Sequence, residues 1–260
     1  MADDEKLPMT RIEDFLTYLQ AERRYASHTI KAYETVLKQF HAFCLDQGKE
    51  GMDLHFKTIR SWVVHMMDSG LSPRTVHKKL TALRTYCKYL IREGELDSNP
   101  LDRVLKPKIS KRNPVFVEEG NMEVLLEDFS FGDDFEGIRN RLVMDLLYQT
   151  GMRRSELIGL KTTSVDIPSR SVKVLGKRNK ERLVPLDDDL ISAIQQYLVL
   201  REEVVSDEQV DALIITGKGK PAYDSMIYRI VNKYLAMVTT LDKKSPHVLR
   251  HTFATHMLNG

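Results

Sequence analysis

Three short segments carry the side chains best suited to chemistry. In Tyr148–Leu160, YQTGMRRSELIGL, Arg153 stands three positions before Glu156. In Val172–Leu186, VKVLGKRNKERLVPL, Lys177, Arg178, Lys180 and Arg182 crowd a glycine-led turn. In Ser245–Leu258, SPHVLRHTFATHML, His247 stands three positions before Arg250, a spacing that puts both on one helical face. A guanidinium is planar and offers paired donors, so it holds phosphate oxygens better than a lysine point charge does. A histidine beside such groups can move a proton. Each segment alone also has a plain structural explanation. Arg153 and Glu156 make a salt bridge at a helix start, the lysine-rich turn is solvated, and His247 caps a helix or fills a core. No Gly-rich phosphate loop, metal–carboxylate cluster or Cys/His ligand spacing accompanies them, so the motifs imply neither a nucleotide-driven nor a metal-dependent enzyme.

These residues need elements to carry them. Beyond about residue 115 the chain reads as a mostly helical domain with one small sheet. Helices are expected over 118–129, 135–150, 186–201, 223–238 and 247–258, with a short one beginning near Arg153. Apolar, β-branched runs at 171–175 and 182–185 flank GKRNKE as a hairpin, and 213–215 reads as a further short strand.

The first ninety-odd residues read as four helices. Thr10 with Glu13 forms a capping box opening the first. The second starts near Ser27 and aligns Ile30, Tyr33, Leu37, Phe40 and Cys44 on one face. The third ends at Gly70. The fourth has Ser72 as N-cap and Pro73 at its first position, and ends near Gly94. Val76, Leu80, Leu83, Cys87 and Leu90 are its apolar stripe. His77, Thr81, Arg84 and Lys88 run along another side, with Arg74, Lys78 and Arg92 nearby. That side is either an ordinary solvated face or a basic rail for phosphates. The following segment, DSNPLDRVLKPKISKRNPVF, combines Pro100, Pro107 and Pro114 with Arg103, Lys106, Lys108, Lys111 and Arg112. It reads as a stiff basic linker between two domains wrapped around a polyanion.

Composition sets the outer bounds. With 260 residues, 42% hydrophobic, the chain can build one large or two medium cores. The acidic start has no signal-peptide pattern, and no apolar run approaches the ~18–20 residues of a membrane span. Net charge is only +2, so the distribution of charge says more than its total. Cys44 and Cys87 read as small buried thiols in a reducing cytoplasm.

Taken together, in this order and behind a helical domain and basic linker, the three segments resemble the signature of the tyrosine recombinases of the phage-integrase, Xer-like type. The likeness covers nearly the whole chain. YQTGMRRSELIGL is similar to the family's T-G-x-R-x-S-E-L box, VKVLGKRNKERLVPL to its hairpin lysine segment, and SPHVLRHTFATHML to its H-x-L-R-H box. The resemblance implies a mainly α fold with a small β-sheet. Its parts would be a four-helix, SAM-like core-binding domain (1–96), a linker (97–114) and a mixed α/β catalytic domain (115–260). It implies that Arg153 and Arg250 clamp the scissile phosphate and that Glu156 orients Arg153. Lys177, or Lys180 from the same loop, would protonate the departing 5′ oxygen, and His247 would transfer a proton near the nucleophile. His251 and His256 would serve structure. Candidates for DNA contact are Arg74, His77, Lys78, Arg84, Lys88, Lys106, Lys108, Lys111, Arg112, Arg178 and Lys180, with Arg182 a further phosphate-contact candidate.

The implied partners are a double-stranded DNA site and other recombinase protomers, up to a synaptic tetramer, without cofactor, metal or membrane. The implied location is the bacterial cytoplasm, at the nucleoid. In the family, two further elements follow the third box and bring a second histidine or tryptophan and the nucleophilic tyrosine. Neither has a counterpart before Gly260, and Tyr197, Tyr223, Tyr228 and Tyr234 all precede Arg250 and read as core or helix aromatics. These residues are therefore expected to bind DNA without forming a phosphotyrosyl link. Two other readings stay open: a catalytically inactive protein that occupies recombination sites, and a type IB topoisomerase. The DNA target, and whether the role is chromosome-dimer resolution, mobile-element integration or inversion, are not legible.

Overall fold

A computed structural model describes residues 9–110, 115–176, 180–205, 207 and 209–259. The chain divides into two compact units, Met1–Lys111 and Arg112–Gly260.

The first unit is built from α1 (Met9–Ala21), α2 (Ser27–Asp46), α3 (Phe56–Asp68) and α4 (Pro73–Arg92), followed by a 3₁₀ turn at Pro100–Arg103. Helix α1 already includes Thr10, so it opens before the expected capping residue. The start of α4 is as its sequence dictates: the Ser72 hydroxyl accepts from the Thr75 N–H at 3.3 Å, and Pro73 occupies the first turn. The whole stripe Val76, Leu80, Leu83, Cys87 and Leu90 is buried, and so are Tyr86 and Tyr89. Phe15 meets Tyr86 edge-on at 5.2 Å, and Phe40 meets Trp62 at 4.9 Å, which fills the centre with aromatic area. Cys44 and Cys87 are buried free thiols, and burial pushes Cys87 up to about 12.

What reads as linker begins inside this unit. Leu101 and Val104 are buried in the helical core. Arg84 ion-pairs with Asp102 and donates to the Leu101 carbonyl at 2.9 Å. His77 Nε2 donates to the Pro107 carbonyl at 2.7 Å.

In the second unit α5 (Glu119–Glu123) runs into a π turn at Val124–Asp128, one residue short of the helix expected there at either end. Helix α6 (Phe135–Thr150) follows, capped by Asp134, and then the single-turn α7 (Arg154–Ile158). Strands β1 (Val165–Asp166), β2 (Ser171–Leu175) and β3 (Glu181–Pro185) form an antiparallel sheet in that order, with Val174 opposite Arg182. Helices α8 (Asp188–Val204), α9 (Asp224–Val238) and α10 (Pro246–Asn259) complete the unit. Helix α6 is its spine and contacts α8, α9 and α10. Leu142, Val143, Met144, Leu146 and Leu147 are all buried on it. No helix among the described residues is long and apolar enough to cross a membrane.

The expected strand at 213–215 does not form: the segment makes only isolated bridges, Lys161 with Ala212 and Ile215 with Pro221. Backbone bonds to Leu160 and Ala222 and side chains of α8 share its hydrogen bonding. The Tyr197 hydroxyl donates to the Leu213 carbonyl at 3.1 Å and accepts from the Ile215 N–H at 3.1 Å. Arg201 donates to the carbonyls of Val210 and Ala212. Tyr197→Phe should therefore orphan a buried N–H and lower stability by about 1–3 kcal/mol. Urea denaturation together with faster amide exchange at Ile215 would show it, and an unchanged midpoint would contradict it.

Candidate active site

The site is assembled from the end of α6, the start of α7, the hairpin and one face of α10. Helix α6 stops at Gly151, whose backbone is left-handed (φ 56°, ψ 21°). A Cβ there would lie 2.2 Å from Cδ1 of Phe253 on α10, so glycine is required by conformation and by space alike. Arg153 then sits in extended geometry as the N-cap of α7, and Glu156 occupies the third helical position. From that position the carboxylate reaches back to accept the Arg153 N–H at 2.8 Å. It also accepts Nη1 of the Arg153 side chain at 2.7 Å. The neighbouring Arg154 turns away and ion-pairs with Asp224 on α9 at 2.8 Å, so of the two arginines Arg153 is the one beside Glu156.

The hairpin adds a second arginine to the same carboxylate. Arg182 donates from Nη1 to Oε1 of Glu156 at 3.1 Å and from Nη2 to Oε2 at 2.7 Å. Arg182, a phosphate-contact candidate by sequence, is thus turned onto Glu156. The signal was present in the strand period: Arg182 shares the inward face of β3 with Val184, whereas Glu181 and Leu183 face out. The Glu156 side chain is only 4% exposed. Burial alone would raise its carboxyl, but hydrogen bonds from Arg182 and from the Arg153 backbone and side chain bring it down to about 2. Lys180 is exposed at the hairpin, while Lys177 and Arg178 lie outside the described residues.

Helix α10 presents the third arginine. Its inner side is fastened to the segment before α5: Thr252 Oγ1 accepts the Val117 N–H at 3.0 Å, and His256 Nε2 donates to the Val117 carbonyl at 3.0 Å. Because Nε2 must carry the proton, His256 Nδ1 accepts from the Tyr148 hydroxyl at 3.0 Å. The structural role expected of His256 is realised; His251 is exposed, and its ring makes no hydrogen bond among the described residues. On another side of α10, His247 is exposed and Arg250 Nη1 donates to the Gly151 carbonyl. Partial burial and the positive charges of Arg153 and Arg182 pull the Arg250 pKa down, against an opposing pull from Glu156. Three guanidiniums therefore share one field with a single carboxylate between them, leaving a surplus of positive charge suited to an oxyanion.

Four tyrosines of this unit have hydrogen-bond partners elsewhere. Tyr148 is bonded to His256, Tyr197 to the 213–215 segment, Tyr234 to Asn140 and Tyr223 to Arg229. Tyr228 is partly exposed on α9.

The remaining sequence candidates separate into two groups. Arg74, Lys78 and Lys88 are exposed on α4, and Lys106 and Lys108 are exposed after the 3₁₀ turn. His77 and Arg84 do not join them as free cations, because each is bonded to the chain segment that crosses α4. Lys111 and Arg112 lie outside the described residues.

Comparison with known proteins places both units in one family. Residues 116–260 match the phage integrase family, and residues 12–94 match the phage integrase N-terminal SAM-like domain. The chain is 32% identical over 278 residues to the tyrosine recombinase XerC of Chlorobaculum parvum, covering 96% of this chain and 82% of that protein. It is 36% identical over 262 residues to the XerC of Pelotomaculum thermopropionicum, covering 96% and 85%. In fold it resembles the Tn1549 transposon integrase solved in complex with a circular intermediate DNA, with a TM-score of 0.73 at 20% identity over 97% of this chain and 88% of that one.

The depressed Glu156 carboxyl gives a signed prediction. Its folded-state pKa of about 2 lies below the ordinary 4.5, so its contribution is present above about pH 4.5 and is lost as pH falls towards 2. Glu156→Gln should lower stability at neutral pH and flatten the dependence of stability on pH across that window. Urea midpoints at several pH values measure it; parallel profiles for the two proteins would refute it. Gly151→Ala should be destabilising at every pH, and adding Phe253→Ala should recover part of the loss, since the ring is one of the two obstacles.

Proposed function

This chain belongs to the phage integrase family of tyrosine recombinases, and on that premise we propose that it breaks and rejoins double-stranded DNA at specific sites, with Arg153 and Arg250 holding the scissile phosphate. The observation that carries the assignment is the convergence of Arg153, from the start of α7, and Arg250, from α10, onto the Gly151–Glu156 turn. In the first step a tyrosine oxygen, which Tyr197, Tyr223, Tyr228 and Tyr234 are not expected to supply, attacks phosphorus and the bond to the 5′ oxygen breaks, giving a 3′-phosphotyrosyl link. A proton must reach the departing 5′ oxygen, and Lys177 is assigned that transfer, with Lys180 as the other lysine of the hairpin. A 5′ hydroxyl then attacks the phosphotyrosine and releases it. One phosphodiester is spent and one is made, so no external energy source is needed.

In the five-coordinate state negative charge gathers on the non-bridging oxygens, where forked guanidinium donors are most effective. His247, exposed on the helix face of Arg250, is assigned to proton transfer at the nucleophile. Arg74, Lys78, Lys88, Lys106 and Lys108 are assigned to DNA phosphates, together with Lys111, Arg112, Arg178 and Lys180. Partner protomers on the same DNA complete the assembly, with its place at the bacterial nucleoid. A catalytically inactive site-occupying protein is not favoured, because the relatives that match along nearly the whole chain are named as recombinases. The same names speak against a topoisomerase.

The test is covalent capture on a nicked suicide substrate, run with residues 1–260 and with any longer product of the same gene. Residues 1–260 are expected to bind DNA without capture, and a longer product to show capture that Arg153→Ala and Arg250→Ala each reduce by roughly 10²–10³-fold with DNA still bound. No capture by either protein, despite duplex binding with a steep salt dependence, would replace the enzyme reading with a DNA-binding one. For the positioning lysines, exchanging Lys78 and Lys88 for alanine should weaken binding similarly across DNA sequences. The salt slope should fall by about 1 for each phosphate that is no longer neutralised.

A further inference from the structure

We propose that Arg182 is a positioning residue for strand cleavage: by gripping both oxygens of Glu156 from strand β3, it fixes the Arg153 guanidinium and the hairpin relative to one another. The proposal rests on the phosphate-clamp reading and deepens it, because that reading requires only that Arg153 and Arg250 face the phosphate.

The carboxylate of Glu156 is saturated. Oε1 accepts Nη1 of Arg153 at 2.7 Å and Nη1 of Arg182 at 3.1 Å. Oε2 accepts the Arg153 N–H at 2.8 Å and Nη2 of Arg182 at 2.7 Å. A carboxylate has about four lone-pair sites, so none is left over and the group cannot rotate without breaking a bond. Half of these bonds come from α7 itself and half from β3, so the carboxylate is the rivet between the helix start and the hairpin. The neck of the hairpin lies against it. Gly176 N–H donates to the Lys180 carbonyl at 2.8 Å. A Cβ on Gly176 would stand 3.4 Å from Arg182 Nη1 and 3.6 Å from Glu156 Oε1. Gly176 and Lys180, at the neck of the hairpin, are thus tied to the arginine clamp through one ion pair.

Arg182 is poorly placed to be a phosphate ligand instead. Both of its terminal nitrogens are committed to a carboxylate that is 4% exposed, and releasing them would strand a buried charge. Its strand position agrees: Arg182 pairs with Val174 and shares the inward face with Val184. A lysine there would supply the charge without the fork, and so could not bind both oxygens at once.

Single-turnover cleavage of a suicide substrate by the full-length gene product, at saturating DNA, tests this. Arg182→Met should slow cleavage by roughly 10–100-fold while DNA affinity stays within about twofold, as expected when a reacting group is misplaced by about an ångström. Arg182→Lys should recover only part of the rate. In Arg182→Met the Glu156 carboxyl loses hydrogen bonds that offset burial, so the acid-side fall in cleavage rate should begin at a higher pH than in the wild type. Combining Arg182→Met with Glu156→Gln should cost little more than Glu156→Gln alone, because both break the same link. A weaker affinity and shallower salt slope with unchanged cleavage of saturated DNA would make Arg182 a phosphate contact and overturn the proposal. A lowered melting temperature with unchanged rate and pH profile would reduce it to a structural staple and overturn it equally. Arg153→Ala and Arg250→Ala run alongside: if they cleave like wild type, the clamp reading itself fails, whereas normal cleavage by Arg182→Met beside crippled arginine variants sinks this inference alone.

Discussion

Glu156 carries an ionised carboxylate that is almost entirely shielded from water, and a charge in such a place is tolerated only when donors surround it. The donors come from two directions. The backbone and side chain of Arg153 approach from the start of α7, and the fork of Arg182 approaches from β3. Neither the helix start nor the hairpin can be placed freely once this demand is met. Arg153 keeps about half of its side-chain surface exposed, so its position is determined from within while its remaining donors stay available outside. That combination of a fixed base and an open end is what phosphate recognition asks of an arginine.

The second constraint is the end of α6. This helix is buried along most of its length, and the glycine that caps it delivers its carbonyl to Arg250. Phe253 occupies the space that any larger residue at Gly151 would need, which brings α10 close to that turn. Thr252 and His256 fasten α10 to Val117 on its inner side. The polar anchors and the exposed His247 thus sit on the same helix and serve opposite sides of it. One side is satisfied within the protein, and the other leaves His247 at the surface.

In the first unit the same division of labour runs along α4. Its apolar stripe is the core of the four helices, and its basic residues split by what lies over them. Where the chain crosses back through the 3₁₀ turn, Arg84 and His77 are consumed as braces for Leu101, Asp102 and Pro107. Where nothing crosses, Arg74, Lys78 and Lys88 face solvent. Charge count on a helix face is therefore a poor guide to binding capacity; the free cations are those without a local carbonyl or carboxylate to satisfy.

Much was legible in the sequence, because it depended on neighbours along the chain. The Ser72–Pro73 helix start, the period of the buried stripe on α4, the hairpin on either side of GKRNKE and the three short segments with their arginines are all local patterns. The mainly helical class with one small sheet followed from them. Local patterns could not say which partner a side chain would choose. The segment at 213–215 has strand-like residues, yet it makes only isolated bridges and takes two of its hydrogen bonds from the Tyr197 hydroxyl of α8, so no strand forms. Arg182 lies twenty-six positions from Glu156, and Arg250 lies ninety-nine from Gly151. Periodicity determined the faces on which these residues sit, since it is set by the backbone; only the tertiary structure decided the pairings, since a buried carboxylate or carbonyl takes whichever donor the fold brings within reach.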